Sequence, residues 1–133
     1  MSVGILLVTH GKLGHFLLDT LRDFFSGEAL PLQADVLEVR RVQAHEVLIN
    51  QGSKMVERLN SGDGVLLLTD AFGSTPSNIA NKLALLHQTE AVAGVNLPML
   101  IRVFNYPKQN LAEMAKCAVE GGQRGIILCP RPA

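Results

Sequence analysis

Residues 3–14 read VGILLVTHGKLG, in which an apolar run stops abruptly at Thr9-His10-Gly11 and a helical pattern begins near Leu13. Short apolar runs without polar alternation are typical of parallel strands that are buried on both faces. A strand that enters a glycine-containing turn before a helix favours a doubly wound α/β sheet, whose chemistry lies at the carboxyl ends of its strands. His10 would lie at such an end and is the first candidate for a reactive group.

The rest of the chain repeats this alternation of strand and helix. After the first strand, further strands are predicted at 32–39, 65–69, 91–95 and 125–129. Because strands alternate with helices throughout, the predicted fold class is α/β: a doubly wound, mostly parallel sheet with helices on both faces. The chain is expected to form a single domain spanning residues 1–133.

Apolar residues at helical spacing predict the helices and their buried faces. One helix is expected from Leu13 to a left-handed cap at Gly27, and others over 44–59, from Thr75-Pro76 onward, over 99–104 and over 111–119, with Gly121-Gly122 ending the last. The predicted core residues of the first three helices are Leu13, Phe16, Leu17, Leu21, Phe24, Phe25, Val47, Leu48, Met55, Val56, Leu59, Ile79, Leu83 and Leu86.

Bulk composition narrows the classes of partner and compartment. Twelve basic and twelve acidic residues give no net charge, and there is no basic stripe or aromatic platform, which argues against nucleic acid as a partner. The apolar runs are far shorter than the ~20 residues of a membrane helix, so direct membrane insertion is not expected. The N-terminus enters a strand without a basic leader, which predicts a cytoplasmic protein. A hydrophobic content of 47% favours a homo-oligomer that covers apolar surface.

The loops after the first and third strands should meet, because the carboxyl ends of neighbouring parallel strands face one crevice. Asp70 could then accept a hydrogen bond from one imidazole nitrogen of His10, fix the tautomer and make the other nitrogen more nucleophilic. The helix that begins near Thr75 offers unpaired N–H groups and a positive dipole end to a phosphate. Gly73 permits close backbone approach, and the Ser74 hydroxyl adds a donor. Together these residues describe a phosphoryl acceptor, although Asp70 and Thr75 could also be ordinary turn and cap residues.

Three segments resemble one protein family in order and spacing. They are Thr9-His10-Gly11 after the first strand, Asp70-x-Phe72-Gly73-x-Thr75-Pro76-x-Asn78 after the third, and AGVNLPML at 93–100 around the fourth. On these motifs the chain is identified as a member of the enzyme IIA family of the mannose type (mannose/fructose/sorbose) in the bacterial phosphoenolpyruvate-dependent sugar phosphotransferase system. The resemblance covers essentially the whole chain.

The resemblance implies a specific phosphoryl relay. His10 would accept a phosphoryl group from the phosphohistidine of the carrier protein HPr and pass it to a IIB component, while Asp70 orients the imidazole. No metal and no organic cofactor would be needed. The residues that would hold the phosphate are Gly11, Phe72, Gly73, Ser74 and Thr75.

The same resemblance implies a fifth, antiparallel strand at 125–129 and a homodimer in which that strand can be exchanged between subunits. Two positions depart from the family's pattern, since Ser74 stands where a second glycine is common and Phe72 where some members have tryptophan. Other members continue through an Ala/Pro-rich linker into a IIB domain, whereas this chain stops at Ala133, so a free-standing IIA protein is expected. A regulatory role, in which phosphorylation of His10 controls another protein, is equally compatible.

Two functions of other classes remain open at this stage. Some small tetrapyrrole chelatases also place a histidine and a glycine after an opening strand, and a metal site here would need His15 or His45 to approach His10. The second alternative is a non-catalytic module that holds a phosphorylated metabolite at the same helix terminus. Three basic residues could dock an acidic partner face or a phosphate, although surface solubility is their ordinary role: Lys12, Arg40 and Arg41.

Overall fold

The computed structural model of the protein describes residues 2–27 and 29–132. Strands and helices alternate as the apolar pattern predicts. Their bounds are β1 Gly4–His10, α1 Leu13–Asp23, β2 Ala34–Val39, α2 His45–Leu59, β3 Val65–Thr69, α3 Thr75–His87, β4 Glu90–Ala93, α4 Leu97–Asn105 and α5 Leu111–Arg124.

The four strands form one parallel sheet in the order β2-β1-β3-β4. β1 is central because its side chains are apolar on both faces, and every residue from Gly4 to Thr9 is buried. In the register, His10 is paired with Val39 of β2, and Val8 is paired with Thr69 of β3. The carboxyl ends of three neighbouring strands therefore lie side by side at one edge of the sheet.

Two hydrophobic cores cover the two faces of the sheet. Ile5 and Leu7 of β1 face a core completed by α1, α4 and α5, whereas Leu6 and Val8 face a core completed by α2 and α3. Successive strand residues point to opposite faces, so a single apolar run supplies both cores. The predicted fold class, a doubly wound parallel sheet between two helical layers, is confirmed.

The predicted end of the last helix is wrong. α5 continues through Gly121 and Gly122 to Arg124. These two glycines lie where α5 packs on α4, and a Cβ added to Gly121 would come 2.6 Å from the Arg102 Cβ, while one on Gly122 would come 3.0 Å from the Met99 Cε. The glycines therefore allow a close helix–helix contact, a use that a sequence pattern does not distinguish from helix termination.

Several predicted core residues lie on the surface instead. The apolar faces predicted for the helices are wider than the faces that contact the sheet, so the residues at their margins are exposed. Leu18 of α1, which was not among the predicted core residues, is buried. The exposed residues that were predicted to be core are Leu13, Phe16, Phe24, Val47 and Leu86.

The fifth strand predicted at 125–129 is not formed among the described residues of the single chain. The segment after α5 has no regular secondary structure, and three consecutive apolar side chains are largely exposed: Ile126 (79%), Ile127 (70%) and Leu128 (97%). Within residues 2–27 and 29–132, only β1 to β4 form the sheet, and no strand of this chain pairs with the segment.

Two leucines of α3 offer a matched test of this packing. Leu83 is fully buried against α2 and the sheet, whereas Leu85 is 81% exposed. Leu83→Ala should lower the free energy of unfolding by about 2–5 kcal/mol, because it removes apolar contacts and leaves a cavity. Leu85→Ala should change it by less than about 0.5 kcal/mol. Urea unfolding followed by circular dichroism measures both, and equal losses at the two positions would contradict the orientation of α3.

Candidate functional site

The end of β1 fixes His10 by backbone contacts. The Gly11 N–H donates to the Val39 carbonyl at 3.1 Å, and Gly11 adopts a φ of +47°, which favours glycine. The buried Thr9 hydroxyl accepts the Gly14 N–H at 2.9 Å and so holds the first turn of α1 against the strand end. His10 is therefore the residue at which the chain leaves the sheet, and its side chain remains 57% exposed.

Asp70, which follows β3, holds His10 through two groups at once. Its Oδ2 lies 2.7 Å from the His10 Nδ1 and also accepts the His10 backbone N–H at 2.8 Å. Its Oδ1 accepts the Ala71 N–H at 2.8 Å. When Nδ1 carries the ring proton, it donates to Asp70 and the lone pair of Nε2 is available on the opposite side of the imidazole. The predicted meeting of the two loops is thus present, with the carboxylate on the ring nitrogen nearer the backbone.

The hydrogen bonds also determine the charge of Asp70. Burial of the carboxyl group raises its pKa, since the side chain is only 11% exposed. The donors from the backbone and ring of His10, and the N–H of Ala71, outweigh this effect and lower the pKa of Asp70 below its ordinary value of 3.8. Asp70 is therefore a carboxylate at neutral pH and can accept a hydrogen bond from the protonated Nδ1 of His10.

The loop between β3 and α3 holds most of the other predicted site residues. Gly73 has a φ of +88°, and its N–H donates to the Ser77 hydroxyl at 3.3 Å. Ser74 occupies the cap position of α3 and its hydroxyl donates to the Ala71 carbonyl at 2.6 Å, so its proton is used within the loop. Thr75, predicted as the cap, is instead the first residue of the helix and is exposed. Phe72 projects outward and is 84% exposed.

A cavity of about 260 Å³ joins His10 and Thr75 to basic residues that the sequence offered only as alternatives, for docking a phosphate or an acidic partner or for binding a metal. Arg40, Arg41 and His45 from the connection between β2 and α2 line it as well. These residues follow β2, which pairs with β1 on the side opposite β3. The carboxyl end of β2 therefore lies at the same edge of the sheet as the ends of β1 and β3, and position after such a strand is the feature of the sequence that could have indicated them.

A metal site would need His15 or His45 beside His10, and of these two only His45 lines the cavity that contains His10. His15 lies 3.1 Å from Glu38 through its Nε2. Within residues 2–27 and 29–132, no three His, Cys, Asp or Glu side chains are grouped so that they could hold a metal ion. The part of the chain described here also contains no helix long and apolar enough to cross a membrane.

A half-exposed histidine held by a carboxylate at the carboxyl edge of a parallel sheet agrees with the family that comparison with known proteins identifies. The family described as PTS system fructose IIA component, where PTS denotes the phosphotransferase system, matches residues 4–119. The chain belongs to this family of mannose-type enzyme IIA components, which are phosphoryl carriers of the sugar phosphotransferase system. The family membership predicted from the three motifs is confirmed.

Individual relatives agree with this assignment. The chain is 30% identical over 131 residues to the PTS system mannose-specific EIIAB component of Escherichia coli strain K12, covering 95% of this chain and 39% of that protein. The chain thus spans well under half of that relative. Among solved structures, the mannose/sorbose-specific IIA subunit from Enterococcus faecalis has a TM-score of 0.86 at 23% identity, covering 100% of this chain and 98% of the other. The PTS IIA protein associated with the fucose utilization operon of Streptococcus pneumoniae has a TM-score of 0.76 at 27% identity, covering 96% of both chains.

The lowered pKa of Asp70 predicts a specific dependence of stability on pH. The folded protein binds a proton at Asp70 less readily than the unfolded chain does, so this stabilisation is complete above the unfolded pKa and is lost as the pH falls through the folded one. Wild-type protein should exceed Asp70→Asn in free energy of unfolding by about 1–3 kcal/mol at neutral pH. The difference should shrink below about pH 3.8.

Urea unfolding at stepped pH measures this difference. Asp19→Asn is a matched control, because Asp19 also accepts a hydrogen bond from a side-chain nitrogen, the Arg22 Nη1 at 2.7 Å, but its side chain is 70% exposed. A difference between wild type and Asp70→Asn that stays constant into the acid range would show that the carboxylate is not preferentially charged in the folded state.

Proposed function

We propose that His10 is the residue that carries the phosphoryl group, accepting it from the phosphohistidine of HPr and passing it to a IIB component. The observation that supports this most directly is the 2.7 Å contact between Nδ1 of a half-exposed His10 and the Asp70 carboxylate. A ring fixed at one nitrogen and open at the other suits nucleophilic attack. The proposal covers a transport role and a regulatory role alike, because both use the same phosphorylated histidine, and it places the protein in the cytoplasm, where HPr is phosphorylated.

The transfer itself needs only the residues of the site. The Nε2 lone pair of His10 attacks phosphorus while the P–N bond of the donor phosphohistidine breaks, and the donor imidazole takes that electron pair. His10 keeps its Nδ1 proton, so the phosphorylated ring becomes cationic and the neighbouring Asp70 carboxylate offsets this charge. The reverse sequence of bonds delivers the group to the IIB component. Asp70 therefore orients the ring and stabilises its charged form without itself exchanging a proton.

The loop before α3 would hold the phosphoryl oxygens. The first N–H groups of a helix have no partners within the helix and carry a partial positive charge. Nothing packs within 4 Å of the position that a Cβ on Gly73 would take, so an oxyanion can approach the backbone there. We assign phosphate binding to this loop and to the turn beside His10, that is, to Gly11, Phe72, Gly73, Ser74 and Thr75. The N–H groups of Gly11 and Gly73 and the Ser74 hydroxyl already donate to Val39, Ser77 and Ala71, so they would exchange or share these hydrogen bonds when phosphate binds.

Exposed apolar side chains on the elements that flank His10 fit a docking surface for protein partners. Leu13 and Phe16 on α1 are 42% and 63% exposed, and Phe72 lies on the β3–α3 loop. Apolar side chains around a reactive histidine are suited to transient burial by another protein. HPr and the IIB component would use this surface in turn.

The proposal predicts where phosphate is found after incubation with phosphoenolpyruvate, enzyme I and HPr. His10→Ala should take up no phosphate. Asp70→Asn should slow uptake by at least about tenfold, because an unfixed imidazole populates the wrong tautomer. His87→Ala is the control. His87 is the last residue of α3, at the opposite end from the candidate site, and contacts Ser53 of α2, so its loss should leave uptake unchanged.

Intact-mass analysis and site mapping under alkaline conditions, which preserve phosphohistidine, measure these outcomes. A wild-type rate in Asp70→Asn would remove the carboxylate from the mechanism. Saturable binding of phosphate without any covalent modification, with HPr active on a control IIA protein, would favour the non-catalytic module instead.

We further propose that the protein is a homodimer whose last segment pairs with the partner subunit. Three adjacent apolar residues of the segment, Ile126, Ile127 and Leu128, are largely exposed in the described chain. β4 is an edge strand whose outer side has no neighbour among the described strands. An exposed apolar segment and an open sheet edge in one molecule can satisfy each other in a second copy.

Shortening the chain tests the dimer. Removal of residues 126–133 should convert a dimer into a monomer at micromolar concentration, because the apolar segment and its backbone donors are lost together. Analytical ultracentrifugation of the full chain and the shortened chain measures the mass. A full chain that is already monomeric would contradict the exchanged segment.

A further inference from the structure

Arg40 lies directly beside the loop that carries His10. It follows Val39, the residue that pairs with His10 in the sheet and whose carbonyl accepts the Gly11 N–H at 3.1 Å. The Nη1 of Arg40 lies 4.0 Å from the position that a Cβ on Gly11 would take. The guanidinium therefore reaches back from the end of β2 over the turn after β1.

Glu38 contacts the Arg40 side chain, and His15 in turn contacts Glu38. Its Nη2 lies 3.2 Å from Oε2 of Glu38, and the other oxygen of Glu38 lies 3.1 Å from Nε2 of His15. Glu38 thus bridges β2 to α1 and engages only one end of the guanidinium. The Nη1 atom does not take part in the Glu38 contact and lies beside the turn at Gly11, where its N–H groups can bind an anion.

The Arg40 backbone is held as well. Its N–H donates to the Gln43 side-chain oxygen at 3.1 Å, and its carbonyl accepts the Gln43 N–H at 3.2 Å. These reciprocal bonds close the turn between β2 and α2. Arg40 is consequently more restrained than an arginine on an open loop, and less rotamer entropy is lost when it binds an anion.

The cavity that Arg40 shares with His10 has the charge of an anion site. Its lining also includes Arg41, His45 and Thr75, and no acidic residue lines it within the described chain. The planar guanidinium presents its donors in a fork that matches the oxygens of a phosphoryl group. The cavity is therefore suited to a group with two negative charges next to the histidine that would carry it.

We propose that Arg40 binds the oxygens of the phosphoryl group on His10 during transfer, and that Glu38 is a positioning residue for Arg40. This inference rests on the proposed function. Positive charge that is already in place where an anion develops lowers the barrier without reorganisation. Two strand ends, β2 as well as β3, would then contribute to the phosphoryl site. Arg41 would supply further positive charge in the same cavity.

An ordinary surface role makes a different prediction for the same residues. An exposed Arg–Glu pair contributes little to stability and nothing to a rate constant at saturating donor. If Arg40 only attracted the partner protein, its loss would raise KM and leave kcat unchanged. The three roles are therefore separated by kcat, KM and thermal stability measured together.

The experiment uses the full chain with phosphorylated HPr as donor and compares Arg40→Gln, Arg40→Lys, Glu38→Ala and the double variant. Arg40→Gln should lower the transfer rate constant at saturating donor by about 10- to 100-fold, as expected for loss of one preorganised donor. Arg40→Lys should recover part of the rate, because it restores charge without the fork. Glu38→Ala should lower the rate less than Arg40→Gln does, and adding it to Arg40→Gln should cause no further loss.

Arg58→Gln is the matched control, since Arg58 is an exposed arginine paired with Asp35 at 3.5 Å and does not line the cavity. Its rate should stay within about twofold of wild type. A rate constant in Arg40→Gln that equals that of Arg58→Gln, or a change confined to KM, would overturn the inference while leaving phosphorylation of His10 intact. Failure of the wild-type protein to accept phosphate would overturn the proposed function, and this inference with it.

Discussion

The parallel pairing of β1 with two neighbours is the constraint on which the rest of the structure depends. Because β1 is hydrogen-bonded to β2 on one side and β3 on the other, the ends of the three strands are aligned at one edge of the sheet. The chain leaves the sheet at His10, Val39 and Thr69, and the residues that follow are forced into one small volume. Burial of β1 on both faces fixes this register, since a shift by one residue would exchange the two cores.

The site divides its tasks between strand ends. The end of β1 supplies a half-exposed imidazole, and the residue after β3 supplies a carboxylate that holds both the ring and the backbone of His10. In the proposed function the amino end of α3 would add N–H groups for an anion, and the arginines after β2 would add positive charge. These contributions come from the loops after three strands, and the sheet positions all of them.

The apolar runs and breakers predict the order of the nine elements seen in the described residues, and neighbouring strand ends predict the contact between His10 and Asp70. The misses have physical causes. Gly121 and Gly122 permit helix packing inside α5, which local sequence does not reveal. The Phe16 side chain is exposed because the face of α1 that packs on the sheet is narrower than its apolar pattern indicates. Arg40 was predicted as a surface residue that could dock an acidic partner or a phosphate. Its place beside His10 depends on the position of β2 in the sheet order, which spacing along the chain does not specify.

The single oxygen of Asp70 that binds both the ring and the backbone N–H of His10 has a kinetic consequence. A histidine tied at two points cannot swing between partners, so a carrier of this kind has no moving arm. In the proposed relay, donor and recipient proteins would each have to come to the same open edge of the imidazole, and one would have to leave before the other could approach. Exchange through such a site is a double displacement in which the two partners compete for one surface, and an excess of either unphosphorylated partner slows the flow of phosphate.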